Sequence, residues 1–130
     1  MSTSPRFKTI LVVDDDLADR LIASHAIRKY NADAVILEAI DGAAALALLE
    51  DPGAADPDLI ILDINMPGMN GIEFLERYEV RPDSPHIVAM VSSSGAEIDK
   101  ERCGEFNSVV DYIVKPLEAK DLLKLESELS

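Results

Sequence analysis

The sequence predicts an α/β domain: a doubly wound, five-stranded parallel sheet with helices on both faces. Three observations lead there. Five apolar runs, beginning at Thr9, Ala34, Asp58, Ile87 and Val109, recur along the 130 residues. Segments of helical composition separate them, and several runs end abruptly in charged, hydroxyl or turn residues. Strands buried on both faces read as continuous Leu/Ile/Val runs, and strict alternation of strand and helix calls for parallel strands joined by crossovers.

Residues 1–8 read as a flexible tail and residues 9–130 as one domain. Thr9 to Val13 is the first strand, ending on Asp14, Asp15 and Asp16. A helix follows from Ala18 to about Tyr30, with Ala18, Leu21, Ile22 and Ala26 as its apolar stripe. Ala34 to Glu38 is a weaker strand, and Asp41-Gly42 opens a helix carrying Ala45, Leu46 and Leu49, which Pro52 and Pro57 bring to an end. Asp58 to Leu62 is the third strand, broken at once after Asp63 by Pro67, Gly68, Asn70 and Gly71. A helix from Ile72 to Glu79 packs through Phe74, Leu75 and Tyr78. Ile87 to Val91 is the fourth strand and Val109 to Val114 the fifth, with a polar, poorly patterned helix expected between Ala96 and Phe106. Leu122, Leu125 and Leu129 mark the closing helix.

Composition narrows the function. Apolar residues make up 48% of the chain, enough for a packed core, but the runs are far shorter than a membrane span requires. Without a signal-peptide core, the chain reads as cytoplasmic, and a lone cysteine, Cys103, allows no internal disulfide. A net charge of −13 repels a nucleic-acid backbone, so neither direct nucleic-acid binding nor membrane association is expected.

Parallel strands place their carboxyl ends on one edge, and that edge is where ligands gather in open α/β sheets. Here it would collect Asp14 and Asp15, Asp63, Ser92 with Ser93, and Lys115. A lone Asp63 could simply cap a strand, but four strand ends carrying phosphate- or ion-binding groups point to a site. Carboxylates crowded together repel one another unless a cation neutralises them. Hard oxygen ligands suit Mg2+, with Mn2+ as the other ion that meets the requirement. Lys115 could pair with Asp63 at rest and with a phosphoryl oxygen when one is present, while Ser92 offers a hydroxyl to a second oxygen. Asp63 is then the nucleophile, since a carboxylate oxygen can attack phosphorus to give an aspartyl phosphate.

In order and spacing, Ile10-Leu-Val-Val-Asp-Asp-Asp16, Leu62-Asp-Ile-Asn-Met-Pro-Gly-Met-Asn-Gly71, Val91-Ser92 and Tyr112-Ile-Val-Lys-Pro116 resemble the receiver domain of two-component response regulators, in its single-domain form. The resemblance covers nearly the whole chain. It implies a flavodoxin-like (βα)5 fold with strand order 2-1-3-4-5. It implies Asp63 as phosphoacceptor, and Asp15, Asp63 and the Asn65 backbone carbonyl as direct Mg2+ ligands, with Asp14 acting through water or from behind. Lys115 takes the place of the family's lysine, before a cis peptide to Pro116, and Ser92 that of its Thr or Ser. Tyr112 becomes the aromatic whose rotamer follows phosphorylation, as Ser92 moves and vacates space. The implied donor is a histidine kinase or histidine phosphotransfer protein. The implied output is a protein partner at the face made by the fourth helix, fifth strand and fifth helix. The leucines of the last helix could also support a homodimer.

Ser93, His86 and Asn107-Ser108 depart from the common pattern, and Asn65 and Ser94, flanking the phosphoryl position, put nothing in the way of self-dephosphorylation. His25 and His86 read as surface residues. The domain is thus expected to assist its own phosphorylation and dephosphorylation without being a turnover enzyme; an aspartyl phosphatase would carry an acid where Asn65 stands. The alternative is a receiver-like binding module that is never phosphorylated and acts by protein contacts alone. A flavin-binding protein of the same topology is disfavoured, because Asp14 to Asp16 would repel a phosphate after the first strand.

Overall fold

The computed structural model describes residues 5–64, 66, 70–78, 87–93, 106 and 108–129. Its elements are β1 (Thr9–Val13), α1 (Leu17–Tyr30), β2 (Val35–Ala39), α2 (Gly42–Glu50), β3 (Leu59–Asp63), α3 (Gly71–Tyr78), β4 (Ile87–Ser92), β5 (Val109–Val114) and α4 (Ala119–Glu128). All strand pairings are parallel and the order is β2-β1-β3-β4-β5, as expected. The helix expected between Ala96 and Phe106 lies outside the described residues, except for Phe106 itself.

The central strands alternate between two cores. Ile10, Val12, Leu59, Ile61, Ala89 and Val91 face α1 and α4, where Ala23, Ile27, Leu122 and Leu125 meet them. Leu11, Val13, Ile60, Leu62, Val88 and Met90 face α2 and α3, against Ala45, Phe74, Leu75 and Tyr78. A period of two with both faces covered is why these strands carry no polar positions until they end.

Side-chain caps begin the helices. Asp16 accepts from the Ala18 amide at 3.1 Å at the start of α1, and Asp41 from the Ala44 amide at 2.8 Å at the start of α2. At α3 the exchange is reciprocal: the Asn70 side chain accepts from the Glu73 amide at 2.9 Å, and Glu73 accepts from the Asn70 amide at 3.2 Å.

Two expectations are corrected. The buried face of α1 is Ala23, Ala26, Ile27 and Tyr30, whereas Leu21 and Ile22 of the expected stripe are 61% and 45% exposed and Ala18 is exposed as well. Ala23 and Ala26 take two of the four buried places beside Ile27 and Tyr30, and Leu21 and Ile22 are left outside. The expected tail is tied down from Arg6 onward. Phe7 is fully buried and donates its amide to the Tyr30 hydroxyl at 3.0 Å, and Asp58 accepts the amides of Lys8 and Thr9 at 2.8 and 3.0 Å.

Among the described residues, no helix is long and apolar enough to cross a membrane.

Candidate functional site

The register of the sheet carries the predicted residues to one edge. Val13 pairs with Leu62, so Asp14 and Asp63 occupy the next rung; Asp63 stands beside Val91, the residue before Ser92; and Ser92 pairs with Val114, the residue before Lys115. The Lys115 amide donates to the Ser92 carbonyl at 2.8 Å, extending that ladder one residue past β5. The Lys115–Pro116 peptide is cis, as expected.

Asp14 and Asp63 are each only 4% exposed, which would be costly for two carboxylates without counter-charge. Part of that charge is Lys115. Its ammonium lies 2.8 Å from Asp14, 2.9 Å from Asp19 and 3.6 Å from Asp63. Burial works against the charged ammonium, but the bonds to Asp14 and Asp19, together with the charges of Asp63 and Asp14, outweigh it and raise the lysine above its ordinary value. Lys115 is therefore a fixed cation at physiological pH. Of the partners expected for it, Asp63 is present but is the most distant of the three.

The remaining negative charge is concentrated. Asp14, exposed Asp15 and Asp63 bring carboxylate oxygens within 4.8 Å of one another. All three are hard oxygen donors, and the exposed member leaves one side of the cluster open to water. This donor set fits a divalent ion such as Mg2+ or Mn2+, which takes few carboxylates and keeps several waters. Asn65, expected to add its carbonyl, lies outside the described residues.

Backbone contacts stiffen the edge. The Asp14 amide donates to the Ala39 carbonyl at 3.0 Å, and Asp14 Oδ1 accepts from the Asp16 amide at 2.9 Å, leaving Oδ2 for Lys115. Arg20 donates from Nη1 to the Asp14 carbonyl at 2.8 Å and from Nε to Glu38 at 3.1 Å, fastening the β1–α1 turn to β2. Behind Asp63, the Gly71 amide donates to the Ile64 carbonyl at 3.0 Å.

Ser92 is fully buried at the end of β4. Tyr112, on the edge strand β5, pairs with Met90 and is half-buried against the α2–α3 core. His25 is exposed, as expected; His86 and Ser94 lie outside the described residues. Sequence reasoning missed two members of the site, Asp19 and Arg20. The signal for Asp19 was its position one helical turn after Asp15, which returns it to the same edge once the helix begins at Leu17.

Known proteins agree with this geometry. The family model described as the response regulator receiver domain matches residues 10–126. The nitrate/nitrite response regulator protein NarL of Escherichia coli (strain K12) is 37% identical over 116 residues, covering 89% of the chain, which spans 51% of NarL's own length. A two component response regulator from Cytophaga hutchinsonii superimposes with a TM-score of 0.84 at 30% identity, over 95% of this chain and 96% of that one. The Mn2+-bound form of response regulator Rcp1 does so with a TM-score of 0.73 at 31% identity, over 94% of this chain and 91% of that one. The chain belongs to the receiver-domain family of two-component response regulators.

Proposed function

We infer that the domain is a phosphorylation-driven switch whose phosphoacceptor is Asp63, loaded from a phosphohistidine on a histidine kinase or histidine phosphotransfer protein. A carboxylate oxygen of Asp63 attacks phosphorus, the P–N bond breaks, and its electron pair leaves on the imidazole nitrogen of the donor. The observation that carries this reading is the meeting of a buried Asp63 with Lys115 and two further carboxylates at the carboxyl edge of the sheet.

Each residue has a part. Asp15 and Asp63, with Asp14 behind them and the Asn65 carbonyl as a further ligand, would hold Mg2+, or Mn2+ in its place. When bound, the ion supplies positive charge against the phosphoryl oxygens. Lys115 neutralises a second oxygen and Ser92 donates its hydroxyl to a third. Ser92 lies at the end of β4, and Tyr112 is on the adjoining strand, two positions before Val114, the partner of Ser92. Movement of Ser92 toward the phosphoryl group would therefore change the space open to the Tyr112 ring.

The output is a protein contact at the face made by the helix expected between Ala96 and Phe106, β5 and α4. Exposed Val110 and Val114 on β5 and Leu123 on α4 give the described part of that face apolar surface to bury. The domain promotes its own loading and unloading and turns over no separate substrate.

Incubation with acetyl phosphate or phosphoramidate and Mg2+ should add one phosphoryl group, detected as an intact-mass shift that alkaline hydroxylamine removes. Asp63→Asn should abolish it. Persistence of the modification in that variant would overturn the assignment.

A further inference from the structure

Lys115 is shared unevenly among three carboxylates. An ammonium has three N–H donors, and its distances of 2.8 Å to Asp14 and 2.9 Å to Asp19 are those of charge-assisted hydrogen bonds, whereas 3.6 Å to Asp63 is not. Asp14 belongs to the carboxylate cluster with Asp15 and Asp63, but Asp19 is not among that cluster's members and reaches Lys115 from the first turn of α1. We propose that Asp19 is a positioning residue for phosphoryl transfer: it holds the Lys115 ammonium on the α1 side of the sheet edge, back from Asp63, and yields it to the phosphoryl group when Asp63 is loaded. The proposal rests on the reading of Asp63 as phosphoacceptor.

Asp19 is the partner suited to letting go. Its side chain is 32% exposed, so water can replace the ammonium at small cost, whereas the Asp14 side chain is 5% exposed and could not be left alone as cheaply. The movement is small, from one partner at 2.9 Å to another already at 3.6 Å, and the flexible four-carbon stem of a lysine can make it without moving the backbone. A cavity of about 280 Å3 on the Asp19 side of the ammonium, lined by Asp14, Asp19 and Lys115 together with Ile22, Val91 and Pro116, leaves room for water to take its place there. Release would also leave a free carboxylate on the helix that carries exposed Leu17, Leu21 and Ile22, changing the charge that this face presents with the phosphorylation state.

The test is calorimetric titration of the wild type, Asp19→Asn and Asp19→Glu with beryllofluoride at saturating Mg2+, and separately with Mg2+ alone. Removing the competing counter-ion should tighten beryllofluoride binding by about two- to fivefold, the worth of one partly exposed ion pair. The same change should leave Mg2+ binding unchanged or weaker, because the freed ammonium leans toward Asp63. Asp19→Glu should return both values toward wild type. A merely structural role would move the two affinities together and would not be rescued by Glu. Asp19→Ser carries the same expectation with a smaller side chain should Asn perturb folding. Wild-type binding of beryllofluoride with unchanged or weaker binding by Asp19→Asn and Asp19→Ser overturns the role of Asp19 alone. No binding by the wild type, or equal binding by Asp63→Asn, overturns the phosphoacceptor reading itself.

Discussion

Gly71 closes directly on the backbone of Asp63: a Cβ at position 71 would stand 2.7 Å from the Asp63 carbonyl oxygen. It would also meet the Ile64 Cα at 3.0 Å and the Met90 Cε at 3.3 Å. The first two neighbours are backbone and cannot rotate away, so the N-terminus of α3 would have to move off the strand that presents the phosphoacceptor. Alanine gains about 1 kcal/mol over glycine in a helix interior, but position 71 is the first helical residue and realises little of that. Gly71→Ala should therefore lose about 1–3 kcal/mol in urea unfolding, as overpacked sites do. Its phosphorylation by acetyl phosphate should fall further than the loss of folded protein explains. A midpoint equal to wild type would show that the close approach is not required.

The clustered carboxylates predict that a divalent ion stabilises the fold. Asp14 and Asp63 are buried and share one ammonium with Asp19, so negative charge remains in excess. An ion bound only by the folded state adds about 2.7 kcal/mol at a concentration of one hundred times its Kd. Mg2+ should accordingly raise the Tm and chelation should reverse it. Asp15→Asn is the diagnostic variant, because Asp15 is exposed and its replacement costs the core nothing. That variant should unfold like the wild type without Mg2+ and lose most of the increment with it.

The corrected face of α1 predicts opposite outcomes for neighbouring apolar residues. Leu21 is 61% exposed, so Leu21→Gln should change stability by no more than about 0.5 kcal/mol. Ile27 is fully buried among Ile10, Val12 and Leu125, and Ile27→Ala should cost about 2–5 kcal/mol. Equal losses in urea unfolding would restore the helical phase read from the sequence.

That phase error shows what was legible. The strands could be read because each central one is buried on both faces, so its apolar run and the polar residue that ends it mark both its course and the functional edge. Asp14, Asp15, Asp63 and Ser92 became visible in this way, and Lys115 by ending the apolar run of the edge strand β5. On α1 the residues nearest the sheet include two alanines, and hydrophobic weight misleads where close packing favours small side chains. Phe7 is a single aromatic in a polar stretch, with no periodicity to announce that it is buried. Asp19 was hidden for a different reason: a helical side chain reaches the sheet edge only through the position at which its helix begins.

The other end of α1 predicts an alkaline limit to stability. Tyr30 accepts the buried Phe7 amide at 3.0 Å and donates its hydroxyl to Glu126 on α4, which also accepts the Arg6 amide at 2.6 Å. Burial first, and then the bond to Glu126, push the Tyr30 phenol up to about 12 from 10.0. Because the folded value lies above the unfolded one, the folded state keeps its proton longer. The contribution to stability is complete below about pH 10 and is lost as pH rises toward 12. The raised Lys115 acts in the same direction at still higher pH. Phenolate absorbance should therefore show a tyrosine ionising near pH 12 that is lost in Tyr30→Phe. Tyr30→Phe leaves the Phe7 amide without that partner and should cost about 1–3 kcal/mol at pH 8. Its deficit against the wild type should narrow between pH 10 and 12, where the wild type loses what the variant never had. A deficit constant across that range would show that the hydroxyl contributes only packing.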